Sequence, residues 1–353
     1  MVTRAAVRLS TRCDNACRFC AQAGVEPRDV GDAVWDEALV QARGRGADEV
    51  TFVGGEPLLS EGLEQAIARA RELGFGGIGV QTNGWALAEP RRVEGLRAVG
   101  LTDVHLSVHG ARAAVHDYHV GRDGAFERIV AALGELRRAG VVVVVRTVLT
   151  RSNARVIGEL PAWLAGHGVR AWGIAVPRVA GGAAREFDRV VPRLGVAVPF
   201  ALHALDRARR IGIAVGVIGA PRCVLGPWDR ARISEGAGEG AFGEVCAGCS
   251  GRAGCVGVDP RYLGRFGGDE LRAIGKGIES AAGGAGNELG MTDELRRMFV
   301  GVGEEVDVEV EVHESVRAAR RRLPVLEKAQ PGVEETRGPV RTAETLFPGL
   351  GEE

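Results

Sequence analysis

The amino-acid sequence predicts an α/β fold in which parallel strands wrap into a partial barrel. Three observations carry that prediction. From residue 5 to about 217, short β-branched runs alternate with helical stretches, the pattern of parallel strands joined by right-handed crossovers. An open doubly wound sheet shares that alternation, and the strand faces favour the barrel. In "DVHLSVHG" Val104, Leu106 and Val108 share one parity and suit a face covered by helices, whereas His105, Ser107 and His109 point the other way. A polar inner face implies a lumen with chemistry in it. The loops richest in reactive residues, "CDNACRFC", "GGEP" and "QTNG", each follow an expected strand, and barrel-type α/β folds gather their sites at the C-terminal ends of strands.

In chain order the expected strands are "AAVRLS" (5–10), "EVTFVG" (49–54), "GIGVQT" (77–82), "DVHLSV" (103–108), "VVVVVRT" (141–147) and "AWGIAV" (171–176). Helices are expected at "WDEALVQARGRG", "LEQAIARARELG", "RRVEGLRAVG" and "AFERIVAALGELRRAG", several closed by the glycine a helix C-terminus favours. Residues 1–217 therefore form the core barrel. Residues 218–275 are a small Gly-rich module holding the second cysteine group, and residues 276–353 are an extension. The extension begins with a helical "DELRRMF", continues through the alternating strand "EVDVEVEVHE" and the Arg-rich helix "RAARRRL", and ends in a flexible tail of about 25 residues. The Arg-rich stretch reads as a solvated helix face, and the alternating strand as one half of a hairpin.

Composition narrows the function classes. The 45 Lys and Arg balance 46 Asp and Glu, and a formal charge of −1 supplies no global field for nucleic acid or an anionic membrane. No stretch reaches the ~20 apolar residues of a membrane helix, and the N-terminus has no apolar export segment, so a cytoplasmic protein is expected. The seven cysteines fall into two groups, Cys13, Cys17 and Cys20, then Cys223, Cys246, Cys249 and Cys255. An odd count without an export signal argues against a disulfide framework and for metal or cluster ligation. Three thiolates on a four-iron cluster leave one iron open to a ligand, because a cubane takes four. A zinc site completed by His116 or His119 is the alternative. Those two histidines, in "HDYH", are expected in a loop or helix start at the surface.

"CDNACRFC" has the CxxxCxΦC spacing, with Phe19 in the aromatic position, and there the sequence resembles the radical S-adenosylmethionine superfamily. "GGEP" (Gly54, Gly55, Glu56, Pro57) after the second strand, "QTNG" with Thr82 and Asn83 after the third, "SVHG" after the fourth and "VRTVLTRSN" after the fifth are similar to family segments lining the cofactor. The resemblance covers roughly residues 5–217. It implies a partial (β/α)6 TIM-like barrel and a [4Fe-4S] cluster on Cys13, Cys17 and Cys20, with S-adenosylmethionine chelated at the open iron. One electron then cleaves the sulfonium, and the resulting 5′-deoxyadenosyl radical abstracts hydrogen from a substrate. "GGEP" would receive the methionine amino group, Ser107 and Arg146 the ribose and carboxylate, since a guanidinium forks onto a carboxylate. For Arg146 the alternative is a salt bridge at a strand end. His105 and His109 would either meet substrate or cofactor, or serve as hydrogen-bonded barrel residues.

The second group, with spacing Cx22Cx2Cx5C, resembles the auxiliary-cluster domains called SPASM or, when shortened, twitch. Asp259 stands where that pattern expects another cysteine, and a further one is missing, so a single auxiliary [4Fe-4S] cluster on Cys223, Cys246, Cys249 and Cys255 is expected. A structural zinc knuckle is the alternative. The resemblance implies a peptide or protein substrate that is modified after translation, or else a small metabolite or cofactor precursor. It also implies a low-potential electron donor such as a flavodoxin or ferredoxin, while the neutral charge and the lack of an apolar span argue against a membrane or nucleic acid as partner. From a different class, the chain would be a non-catalytic cysteine-ligated metal scaffold or sensor.

Overall fold

The structure, a computed structural model, describes residues 3–233 and 240–275. Its centre is one parallel sheet in which each strand pairs with the next in sequence. The strands are β1 (Thr3–Ser10), β2 (Ala47–Gly54), β3 (Gly77–Thr82), β4 (Asp103–Ser107), β5 (Val142–Val148), β6 (Ala171–Ala175), β7 (Ala214–Ile218) and β8 (Arg232–Ile233). Among the described residues β1 and β8 do not pair, so the barrel is open. The expected fold class holds. The six expected strands are present, and the sheet runs on through β7 and β8, past the last one foreseen.

Helices cover the outer face: α1 (Asp32–Gly44), α2 (Leu63–Glu72), α3 (Arg92–Val99), α4 (Ala113–Val120), α5 (Ala125–Ala139), α6 (Leu160–Gly166), the short α7 (Gly181–Arg185) and α8 (Phe187–Val190), and α9 (Leu194–Arg210). Parity sorts the strand residues as the pleat requires. Val7, Phe52, Val80, Leu106, Val145 and Trp172 are fully buried in the main core against the helices. The inner face differs from one side to the other. Towards β5–β8 it is a second apolar cluster of Val144, Ala171, Ala214, Ile218 and Ile233. Towards β1–β4 it is charged: Arg4 bonds Asp103 at 2.7 and 3.0 Å, Glu49 at 2.9 Å and Thr51 at 2.9 Å. That network plugs the floor of the lumen, and the loops at the opposite, C-terminal ends of the strands remain free to build a site.

After β7 come α10 (Arg222–Leu225) and, from 240 onward, a module pinned by the antiparallel bridge Ala241–Val258 and by α11 (Pro260–Phe266). Asp259 caps α11 by accepting from Arg261 N–H at 2.8 Å. The module docks on the barrel through the Tyr262 hydroxyl, which accepts from Leu194 N–H at 2.7 Å, and through Arg193 to Glu270 at 3.0 Å. No helix among the described residues is long and apolar enough to cross a membrane. The expected helix, strand and tail of 276–353 lie outside the described residues.

Candidate functional site

The cysteine loop begins where β1 ends. Its far side is fastened by Thr11 N–H to Arg28 carbonyl and Val30 N–H to Leu9 carbonyl, each 2.8 Å. The near side is fastened by the "GGEP" turn: Gly55 N–H donates to Ser10 carbonyl and Glu56 N–H to Arg12 carbonyl, each 2.7 Å. A Cβ on Gly54 or Gly55 would run into those same two carbonyls. Glycine here admits the start of the cysteine loop, a use that the residues alone do not reveal.

Glu56 is the strut between two strand ends. Its carboxylate accepts from Leu58 N–H at 3.0 Å, Thr82 hydroxyl at 2.7 Å and Asn83 N–H at 2.7 Å. Burial pushes its pKa up to about 7 in spite of those three donors. Pro57, also buried, opens the short turn that follows. Asn83 then reaches the ligand loop, donating to Asp14 at 2.7 Å, and Asp14 is also held by Arg122, whose guanidinium lies 3.2 Å over the Trp85 ring. Thr82 and Asn83 are thus joined to "GGEP" and to the cysteines, through an Asp14 and an Arg122 that the sequence alone did not single out.

The three thiols lie close enough to influence one another electrostatically. Burial, with Glu56, Asp14 and Cys20 nearby, pushes Cys13 up to about 11, and Cys17 is raised further by burial and by Cys13 and Cys20. Thiols become thiolates when a metal supplies the charge, so the donor set fits a cluster. Among the described residues no three His, Cys, Asp or Glu groups converge on one point as a single metal ion would need. A cubane places one iron under each thiolate and does not require such a point.

His116 and His119 depart from expectation. They are buried, at 1% and 3% exposure, on one face of α4. His119 Nδ1 donates to Val115 carbonyl at 2.6 Å and Nε2 meets the Thr150 hydroxyl at 2.7 Å, while His116 Nδ1 accepts from His109 N–H at 3.2 Å. Both nitrogens of His119 are spent on protein, so His119 has no free atom to complete a zinc site, and His116 has one nitrogen so engaged. The His109 ring stacks on His116, accepts from Val148 N–H at 3.3 Å and stands 4.5 Å from the Phe19 ring. Asn153, fully buried, ties this group together by donating to His109 and Val148 carbonyls at 3.2 and 2.9 Å.

Lower in the lumen, Ser107 and Arg146 lie opposite each other across β4 and β5. Below them His105 bonds Asp103 at 3.0 Å, so it belongs to the floor network. Two buried inner-face atoms, Gln81 Oε1 and His105 Nδ1, have no hydrogen-bond partner in the structure. Such polar capacity is costly unless something occupies it, which suits a lumen that receives a ligand. Gln81 was passed over although it opens "QTNG"; its parity with Gly77 and Gly79 on the inner face was the available signal.

The second cysteine group also comes together. Cys223, Cys246, Cys249 and Cys255 line one small cavity with Phe242, and Ile274 N–H donates to Cys249 Sγ at 3.3 Å.

Comparison with known proteins agrees with this geometry. Residues 7–155 match the model of the Radical SAM superfamily. The AdoMet-dependent heme synthase of Nitratidesulfovibrio vulgaris is 31% identical over 183 residues, 51% of this chain and 49% of that protein. The PqqA peptide cyclase of Xanthomonas euvesicatoria pv. vesicatoria is 32% identical over 151 residues, 42% of this chain and 40% of that protein. The chain thus spans about half the length of the relatives it matches. Among solved structures, Streptococcus suis SuiB bound to S-adenosylmethionine superposes with a TM-score of 0.52 at 19% identity, covering 62% of this chain and 50% of that one, and shares the fold. The family match lies on the barrel and includes the cysteine loop, "GGEP", "QTNG" and "SVHG". Over residues 7–155, less than half of its length, this chain is thus similar to the Radical SAM superfamily.

Proposed function

We propose that this chain is a radical S-adenosylmethionine enzyme that modifies a peptide or protein, with one [4Fe-4S] cluster on Cys13, Cys17 and Cys20. The observation that carries the reading is the cysteine loop itself: three thiols within electrostatic reach of one another on the loop that follows β1, pinned to "GGEP" and "QTNG". When bound, the cluster and S-adenosylmethionine supply a 5′-deoxyadenosyl radical able to take a hydrogen atom from substrate. The chain's own residues position and shield. Gly54, Gly55, Glu56 and Pro57 shape the turn beside the methionine end, Thr82 and Asn83 brace it, and Ser107 and Arg146 offer a hydroxyl and a guanidinium for the ribose and carboxylate. Phe19 and His109 close the side of the site nearest β4. The residues of 218–275 hold an auxiliary [4Fe-4S] cluster on Cys223, Cys246, Cys249 and Cys255, a reading supported by the cavity they share. A low-potential flavodoxin or ferredoxin in the cytoplasm would supply electrons.

The peptide reading draws on the likeness to a PqqA peptide cyclase. A small cofactor precursor is the second reading, supported by the likeness to a heme synthase, which extends over more of the chain. Two measurements test these proposals. Reconstituted protein should hold about eight irons, falling to about four when either cysteine group is replaced by alanine. Mass spectrometry of candidate peptides and of tetrapyrrole precursors, incubated with reduced enzyme, decides the substrate class: a changed peptide mass supports the first reading, and a changed tetrapyrrole alone overturns it.

A further inference from the structure

We infer that Gly121 and the pair Gly181–Gly182 are positioning residues, which clamp the cysteine loop into its ligating shape before iron arrives. The inference rests on the reading that Cys13, Cys17 and Cys20 hold the first cluster. Residues 16–23 lie between two helix ends. On one side is the end of α4: Val120 carbonyl accepts from Ala16 N–H at 2.9 Å and His119 carbonyl from Arg18 N–H at 3.2 Å. Gly121 follows with φ +64°, and a Cβ there would stand 2.6 Å from Ala16 carbonyl oxygen. On the other side is the start of α7. Gly182 N–H donates to Cys20 carbonyl at 2.8 Å, and a Cβ on Gly182 would collide with Arg18 carbonyl oxygen. Gly181, at φ +49°, leaves room for the carbonyls of Cys20 and Ala21, each of which a Cβ would meet at 2.5 Å.

Ion pairs and stacking extend the clamp outward. Arg18 bonds Glu186 at 3.2 Å and lies 4.8 Å over the Tyr118 ring, and Arg185 donates to Ala23 carbonyl at 3.0 Å. Inside it the loop turns on itself, with Cys20 N–H on Cys17 carbonyl and Ala23 N–H on Cys20 carbonyl at 3.1 and 3.2 Å. Every one of these contacts is between protein groups, so none waits for the cluster. A ligand set ordered in advance spares the assembly the conformational entropy that an unstructured loop would lose. The backbone approach is so close that only glycine admits it, and alanine would push the loop off its carbonyl contacts.

Gly182→Ala is the cleanest probe, because its φ requires no glycine and only the collision is introduced. Gly166→Ala, in open space at the end of α6, is the control. Reconstituted Gly182→Ala should lose iron from the first site to a chelator ~10-fold faster or more, the cost typical when groups supporting a metal ligand are disturbed. The electron paramagnetic resonance change on adding S-adenosylmethionine, which reports the first site alone, should shrink, while the melting temperature of cluster-free protein stays at the control's value. Iron retention and resonance change equal to the control's would overturn the inference. Should Gly182→Ala fail to fold, hydrogen exchange on cluster-free wild type decides: slow exchange at Ala16, Arg18 and Gly182 amides supports the clamp, and exchange at the rate of an unstructured chain overturns it. If Cys17→Ala retains the wild-type resonance change, the cluster assignment itself fails, and the inference with it.

Discussion

Phe19 stands edge-on to His109 with ring centroids 4.5 Å apart, so the aromatic residue beside Cys20 rests on the chain just after β4. Edge-to-face pairs contribute ~0.5–1.5 kcal/mol beyond area burial. His109→Ala would remove that support and leave Val148 N–H without its acceptor, a further ~1–3 kcal/mol. We expect His109→Ala to lower unfolding free energy by ~2–4 kcal/mol in a urea titration and to release first-site iron faster than wild type.

Four histidines give the fold an acid limit. Burial lowers the pKa of His105, His109, His116 and His119, that of His116 to about 4. A base lowered in the folded state stays neutral while the unfolded chain takes up protons below pH ~6.5, so stability falls as pH drops through that value. Each such proton is worth ~1.4 kcal/mol per pH unit. Urea titrations of cluster-free protein between pH 5 and 6.5 should lose stability steeply, and His116→Phe should flatten the slope by about one proton.

Glu56 works in the opposite sense. Its folded pKa of about 7 lies above the unfolded value, so its contribution is fully present below pH ~4.3 and is lost as pH rises towards 7. Glu56→Gln should therefore make the histidine-driven slope steeper between pH 5 and 6.5. The same titration series reads this, and an unchanged slope would contradict the assigned burial of the carboxyl.

The floor of the barrel depends on Arg4. Burial alone would raise the Asp103 pKa, but the Arg4 charge and the bonds from His105 and Arg4 hold it well below the usual carboxylate range. Removing one partner of a buried pair strands the other, at ~3–5 kcal/mol. Arg4→Met should destabilise by that amount in urea. Because Glu49 and Asp103 both lose their cationic partner, the loss should ease as pH falls below ~4 and the carboxylates take up protons.

Much of this was legible in the sequence because period and motif coincide. The first six strands are apolar segments of five or more residues, each followed by a loop and a helix. β7, "AVGVI", is as long as β6 and no weaker in pattern, so it was legible and not read, whereas β8, at two residues, has no period to detect. His116 and His119 read as surface residues because an eight-residue helix with little apolar patterning gives no inward face. Their burial comes from tertiary partners, Thr150 and the chain after β4. The glycines of the clamp were equally invisible, since what they meet lies more than 100 residues away in sequence.

The central claim, that Cys13, Cys17 and Cys20 ligate a cluster able to cleave S-adenosylmethionine, is tested most directly by 5′-deoxyadenosine formation. Anaerobically reconstituted, reduced wild type is compared with Cys17→Ala by chromatography of the products. The account predicts 5′-deoxyadenosine from wild type and none above background from Cys17→Ala. Equal amounts from both, or none from wild type with a loaded first cluster, bound S-adenosylmethionine and substrate present, would contradict it and favour a metal-bearing scaffold without catalysis.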